Sequence, residues 1–164
     1  MKISIQDKRR SYRSLANWSA VATLILGLSS PTFAALGGNV DSVEADQAYM
    51  KATIKFAQAN TYAVHEIKAP TGTVVREYVS PTGRVFGVAW QGPFVPEMRQ
   101  LLGAYFDHYS EAAKAQRESH VERRPLNIQE PGLVVQTSGH MRAYYGRAYD
   151  PELLPAGVST NDVR

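Results

Sequence analysis

The 164-residue sequence contains no cysteine, and this absence limits both its structure and its chemistry. Disulfide bonds, thiolate nucleophiles, iron–sulfur clusters and c-type haem all require cysteine and are excluded. The sequence also lacks the G-x-S-x-G and S-x-x-K motifs of serine nucleophiles, and the glycine-rich G-x-G-x-x-G and G-x-x-x-x-G-K phosphate loops. Its four histidines, at positions 65, 108, 120 and 140, have no H-x-x-x-H or H-E-x-x-H spacing. We therefore expect no metal and no cofactor, and the absences argue against an enzyme.

Long hydrophobic runs are also scarce, and the longest lies near the amino terminus. The run "WSAVATLILGL" covers residues 18–28 and is far shorter than the ~20 residues that a membrane-spanning helix needs. It is preceded by five basic residues and followed by small residues at Thr32 and Ala34. These three parts predict a secretory signal peptide over residues 1–34, cleaved after Ala34. We expect a periplasmic or secreted bacterial protein with no integral membrane span after cleavage.

Residues 35–164 have no excess of positive charge. Residues 1–34 hold five of the 18 lysines and arginines and one of the 15 acidic residues, so residues 35–164 keep 13 and 14 and have a net charge of −1. Such a chain has no basic field for nucleic acid. Its 130 residues fit a single domain with one core.

The remaining sequence predicts an α+β fold in which an antiparallel β-meander of about six strands, in two groups, packs on a long amphipathic helix. A shorter N-terminal helix is expected over residues 42–58, because Asp41 and Glu44 have capping-box spacing and apolar residues recur on one helical face. The long helix is expected over residues 96–118, with Pro96 at its first position. Three further strands, "LNIQ", "LVVQT" and "MRAYYGRAY", follow it.

The tripeptide Pro-Thr-Gly occurs twice, at residues 70–72 and 81–83, and predicts two hairpin turns rather than a ligand motif. Proline suits the first turn position and glycine the position that needs positive φ. The turns make residues 62–90 a three-stranded meander and fix its register. In that register His65 lies opposite Glu77, Glu66 opposite Arg76, and Glu77 opposite Gly87.

The candidate catalytic residues are His65 and Glu77. A carboxylate that faces an imidazole orients it and raises its basicity, as general bases require. Gly87, expected beside the pair, would leave room for a small molecule. The alternative is a structural cross-strand pair, worth about 0.2–1 kcal/mol, and we favour this alternative.

The candidate binding residues lie in two segments, one around residue 90 and one over residues 138–149. Trp90 and Gln91 belong to "WQGPF", where the indole either lines a pocket or belongs to the core. The segment "SGHMRAYYGRAY" combines arginines with aromatic residues, as recognition surfaces often do. It offers a site for an anion or a sugar through His140, Arg142, Tyr144 and Arg147. The alternative is a strand with one polar and one buried face.

The segments "VVREYVSPTGRVFGVAWQGP", "LLGAYFDHY" and "GHMRAYYGRAYDPELLP", in this order behind a signal peptide, carry a family resemblance. Their combination is specific, although each fragment alone is weak. The sequence resembles the bacterial family called domain of unknown function 2844 over nearly all of residues 35–164. The resemblance implies an exported protein of proteobacterial type, and it brings no activity, cofactor or catalytic residue.

The sequence thus predicts an exported, non-catalytic module that binds an envelope protein, a peptide or a glycan. The alternative function is a small periplasmic hydrolase or isomerase that uses His65 and Glu77. A third possibility is a subunit of a secreted assembly, which would require an unprotected strand edge that pairs between chains.

Overall fold

The computed structural model describes residues 36–40, 51, 53–59, 61–119 and 125–164. Within them, seven strands form one antiparallel sheet in the order β1-β2-β3-β4-β7-β6-β5. The strands are β1 Thr53–Gln58, β2 Ala63–Lys68, β3 Val74–Val79, β4 Val85–Gly92, β5 Asn127–Glu130, β6 Leu133–His140 and β7 Ala143–Tyr149. The α+β class is confirmed, whereas the finer prediction of about six strands in two groups is not what the structure shows: the described residues form seven strands, and the pairing of β4 with β7 joins them in one sheet.

The long helix is present as a helical stretch of 21 residues that a single glycine interrupts. It consists of α1, Met98–Leu102, a 3-10 turn, Gly103–Tyr105, and α2, Phe106–Glu118. Gly103 has φ 49° and ψ −118°, a backbone conformation that side-chain-bearing residues rarely adopt. Glycine is therefore favoured at the break between α1 and α2. No helix of the described residues is both long and apolar enough to cross a bilayer.

The predicted N-terminal helix over residues 42–58 is wrong where the structure describes it. Thr53–Gln58 form the edge strand β1, which pairs with β2 from Thr53 opposite Lys68 to Gln58 opposite Ala63. Cross-strand hydrogen bonds override the helical spacing here, since short apolar patterns fit both periods. The first part of the predicted helix, residues 42–50, lies outside the described residues.

The first Pro-Thr-Gly turn has the predicted register. The Ala69 N–H donates to the Thr73 carbonyl at 2.9 Å, and Gly72 has φ 88°. His65 lies opposite Glu77 in the ladder between β2 and β3. The second turn also closes as predicted, with the Ser80 N–H donating to the Arg84 carbonyl at 2.8 Å.

A β-bulge in β4 changes the register beyond the second turn. Val79 pairs with Val85, but Tyr78 pairs with Gly87, so Phe86 is an extra residue on β4. The prediction that Glu77 faces Gly87 is therefore wrong, because Glu77 pairs with Val88. The bulge exchanges the two faces of β4 after Phe86, as one inserted residue does in a strand of period two.

The sheet has two covered faces. The helix face packs against α1 and α2, and its core includes Ile67, Val75, Val88, Trp90, Val135 and Ala148. The opposite surface, here called the tail face, is covered by residues 150–164. Buried residues on this side include Tyr78, Phe86, Ala89, Tyr149 and Val163.

The tail is fastened to its face by hydrogen bonds and by close packing. The Tyr78 hydroxyl donates to the Arg164 carbonyl and accepts from the Arg164 N–H at 3.0 Å. Val163 is fully buried over Gly87, where an added Cβ would lie 2.9 Å from Val163 Cγ2. The bare backbone at Gly87 therefore accommodates the tail, in place of the small molecule expected from the sequence.

Candidate functional site

The six predicted binding residues do not form one patch, because adjacent strand positions point to opposite faces of the sheet. Trp90 lies on the helix face and is only 2 % exposed. Tyr144 pairs with Gly92 and is half-buried on that same face. His140 and Arg142 lie at the exposed turn between β6 and β7. The sheet brings Gln91 and Arg147 together on the tail face, and it brings Trp90 and Tyr144 together on the helix face.

Gln91 and Arg147 line a cavity of about 640 Å³ on the tail face, here called the tail-face pocket. The last two residues of the chain, Val163 and Arg164, form one wall. Residues 125–127, before and at the start of β5, form another. Its polar lining includes Arg76, Gln91, Gln136, Tyr145, Arg147 and Arg164.

The register explains why these side chains meet. One row of cross-strand partners runs over β3, β4, β7, β6 and β5 and consists of Arg76, Ala89, Arg147, Gln136 and Asn127. A second row, two residues along each strand, consists of Gln91, Tyr145 and Ser138. The bulge at Phe86 sets both rows, because it places Ala89 and Gln91 on the tail face.

The Arg147 guanidinium is hydrogen-bonded to both the sheet and the tail. Its Nε donates to Gln136 Oε1 at 2.8 Å, and its Nη1 donates to the carbonyls of Thr160 and Val163 at 2.8 and 3.2 Å. Gln136 in turn donates from Nε2 to Asn127 Oδ1 at 3.4 Å. The Nη2 group of Arg147 forms no hydrogen bond with a described residue, so it keeps its donors for a ligand.

Two further arginines add positive charge to the pocket. Arg76 donates from Nε to Glu66 Oε2 at 3.0 Å, with both side chains about one-third exposed. Its two terminal nitrogens, like the guanidinium of Arg164, form no hydrogen bond within the described part of the chain. None of the described residues lining the pocket is an aspartate or a glutamate. The pocket is therefore cationic and rich in donors, a chemistry that suits an anion.

A second cavity, of about 570 Å³, lies on the helix face and includes Trp90, Tyr109 and Tyr144 in its lining. The Trp90 ring packs on the bare backbone of Gly146, where a Cβ would lie 2.3 Å from Trp90 Cζ2. Glycine at position 146 thus makes room for the indole, and β7 pairs in regular register on both sides of it. Trp90 is almost fully buried and belongs to the core of the helix face.

His65 and Glu77 are cross-strand neighbours, as predicted, but they form no hydrogen bond with each other. The His65 ring lies edge-on to Phe56, with ring centroids 5.2 Å apart. Burial lowers the pKa of His65, and Glu77 is fully buried. Neither residue lines the tail-face pocket or the cavity on the helix face. The Glu77 side chain is therefore not accessible to a substrate. A catalytic role for the pair stays a prediction.

Metal binding has no evident location in the described ranges. No three histidine, aspartate or glutamate side chains among residues 36–40, 51, 53–59, 61–119 and 125–164 form a group that could hold a metal ion.

Sequence reasoning misses several residues of the pocket. Arg76 is visible in the sequence only as the partner of Glu66, and its approach to Arg147 depends on the bulge and on the pairing of β4 with β7. Tyr145 is a second missed residue: it lines the pocket and is 56 % exposed on the tail face. Arg164 reaches the pocket only because the tail folds back, and no local motif signals that contact.

Comparison with known proteins gives one informative result. No curated protein and no solved structure matches the chain significantly. A family model described as "Protein of unknown function (DUF2844)" matches residues 32–163, which is most of the chain. The segments quoted above as the basis of the resemblance all lie within this range. The chain therefore belongs to the DUF2844 family of proteins of unknown function.

Proposed function

We propose that this protein is an exported, non-catalytic binding module whose ligand occupies the tail-face pocket. The observation that carries the proposal is a cavity of about 640 Å³ lined by three arginines and, among its described residues, by no carboxylate side chain. Small-molecule sites generally have volumes of about 300–1,000 Å³ and a few convergent polar groups. The pocket has both properties.

Binding is favoured over catalysis by the kind of groups in the pocket. Arginine stays protonated near neutral pH, and the amides of Gln91 and Gln136 do not titrate. General acid–base catalysis needs a group whose pKa lies near the working pH. The described lining holds neither an imidazole nor a carboxylate side chain. These side chains can hold and orient a ligand.

Export is supported by the sequence features of residues 1–34. The basic segment, the 11-residue apolar run and the small residues at Thr32 and Ala34 have the order of a cleavable signal. The family match begins at residue 32, next to the proposed cleavage position after Ala34. We propose the periplasm or the extracellular space as the location, with a partner or ligand from the cell envelope.

A pocket-filling variant tests the binding proposal. Residues 35–164 are incubated with the small-molecule fraction of a bacterial envelope extract, and retained masses are read by native mass spectrometry. Gln91→Trp places an indole in the pocket from an exposed strand position, and Gln129→Trp makes the same change at an exposed position of β5 outside it. We expect a retained mass with wild type and Gln129→Trp and its loss with Gln91→Trp. Equal retention by both variants, or none by wild type, contradicts the proposal.

A further inference from the structure

We propose that the ligand of the tail-face pocket is an acidic sugar, a uronate unit of an envelope glycan. This inference rests on the proposed binding function and adds the chemical class of the ligand. It is carried by two neighbouring rows of side chains with different chemistry, which lie in register across the sheet.

The first row supplies charge at two points. Arg76 and Arg147 lie on β3 and β7, with only Ala89 of β4 between them. Two strand spacings place their Cα atoms about 10 Å apart, and Ala89 between them is buried in the cluster that contains Val163 of the tail. Arg76 uses only its Nε for a protein acceptor, so both of its terminal nitrogens can bind a carboxylate through a parallel N–H pair. Arg147 uses Nε and Nη1 within the protein and offers Nη2 as one further charged donor.

The second row supplies groups that suit hydroxyls and a ring. Gln91 and Ser138 flank Tyr145 on the neighbouring strands. Amide and hydroxyl groups both donate and accept hydrogen bonds, as sugar hydroxyls do. The exposed Tyr145 ring has an electron-rich face, against which the C–H side of a pyranose packs favourably. The two rows are about 7 Å apart along the strands, which matches a ring with a carboxylate at one end and hydroxyls at the other.

An acidic peptide fits the site less well than a sugar. Peptides commonly bind sheets by adding a strand to an open edge. The pocket lies over β4, β7 and β6, each of which has a hydrogen-bonded neighbour on both sides. Its floor consequently presents side chains instead of free backbone groups, and recognition depends on what those side chains bind.

Calorimetric titration of residues 35–164 tests the ligand class. The probes are trimers of galacturonate, glucuronate and mannuronate, their neutral methyl esters, and a glutamate trimer that carries carboxylates without a sugar. We expect at least one uronate trimer to bind about tenfold or more tightly than its ester and than the glutamate trimer, because ionic hydrogen bonds and ring contacts are both needed. Equal binding of the ester or of the glutamate trimer overturns the proposal.

Variants separate a specific site from general charge attraction. Arg76→Gln should weaken binding of the uronate about tenfold or more, and Tyr145→Ala should also weaken it. Lys114→Gln removes one positive charge from an exposed position of α2 and should leave binding unchanged. Circular dichroism confirms that each variant is folded. Equal loss with Lys114→Gln, or no loss with Arg76→Gln, contradicts the assignment.

The outcomes also distinguish this inference from the proposed function. If no uronate trimer binds but wild type still retains a mass from the envelope extract that Gln91→Trp loses, the ligand class is wrong and the binding function stands. If neither the trimers nor any extract component binds, both are wrong.

Discussion

The Tyr105 hydroxyl donates a hydrogen bond of 2.6 Å to Asp150 Oδ2, and this contact joins the helical stretch to the first residue of the tail. Asp150 is almost fully buried, and its Oδ1 accepts from the Glu152 N–H. The carboxylate therefore holds two elements that are far apart in sequence. We expect loss of this contact to loosen the tail, which forms one wall of the pocket.

The first prediction concerns alkaline pH. Burial, followed by the hydrogen bond and charge of Asp150, raises the pKa of Tyr105 to about 12 from the usual value of 10.0. Because the pKa of Tyr105 is higher in the folded than in the unfolded chain, the protonated hydroxyl stabilises the fold. This contribution is complete below pH 10 and is lost as the pH rises toward 12. Tyr105→Phe should lower the unfolding free energy at pH 7 by about 1–3 kcal/mol and reduce this alkaline loss. Urea unfolding from pH 7 to 12 measures both effects, and identical alkaline profiles would contradict the prediction.

The second prediction concerns acid pH and His65. Burial lowers the pKa of His65, so the unfolded chain binds a proton at this residue more readily than the folded chain does. The stability that the neutral, buried imidazole contributes is complete above the usual histidine pKa of 6.5 and is lost as the pH falls below it. His65→Gln should make the unfolding free energy less sensitive to pH between 8 and 5. An NMR titration that gives His65 a pKa above 6.5 would contradict this and would favour ionic pairing with Glu77.

The third prediction concerns the contact between Gly146 and Trp90. A methyl group at position 146 would clash with the indole, since a Cβ there lies 2.3 Å from Trp90 Cζ2. Gly146→Ala should lower the unfolding free energy by about 1–3 kcal/mol, as overpacking does. Trp90→Leu should cost stability alone but should recover part of the Gly146→Ala loss in the double variant. Additive losses in this cycle would show that the two residues do not interact.

The fourth prediction concerns the tail. Arg147 donates to two tail carbonyls, and Arg147→Met removes both bonds while keeping a long side chain. Amide hydrogens of residues 158–164 should then exchange faster, whereas those of β2 and β3 should be unaffected. Hydrogen exchange with mass spectrometry measures this. Arg99→Met, which removes an exposed arginine from α1, is the control and should leave tail exchange unchanged.

The fifth prediction concerns processing. When residues 1–164 are expressed in a bacterium with a functional secretory system, the exported form should begin at Ala35. Ala34→Arg should block cleavage, because the position requires a small residue. Amino-terminal sequencing of the periplasmic fraction tests this. Recovery of the uncleaved chain in the cytoplasm would contradict the proposed export.

Local chemistry makes the first hairpin predictable. The turn at residues 70–72 needs only its own proline and glycine, and the register of His65 and Glu77 follows from it. The same reasoning fails beyond the second turn, because the bulge at Phe86 is not signalled by turn residues. It also fails for β1, whose strand state depends on pairing with β2.

The candidate site is less predictable than the fold, because its parts come from distant segments. Arg147 and Gln91 stand out in the sequence beside aromatic residues and are found in the pocket. Their proximity to Arg76 and Arg164 depends on the pairing of β4 with β7 and on the return of the tail. Neither contact has a local sequence signal. Trp90 stands out for the same reason as Gln91. Because the two residues are adjacent in β4, their side chains point to opposite faces of the sheet.

The order of the sheet also bears on when the protein can fold. β4 lies between β3 and β7, although β7 begins about fifty residues after β4 ends. A growing chain that has made only β1 to β4 therefore exposes the unpaired edge of its most buried strand. Such long-range pairing slows folding. For a protein that we propose is exported, this delay would keep the chain open for threading through a translocation channel until its last strand has followed.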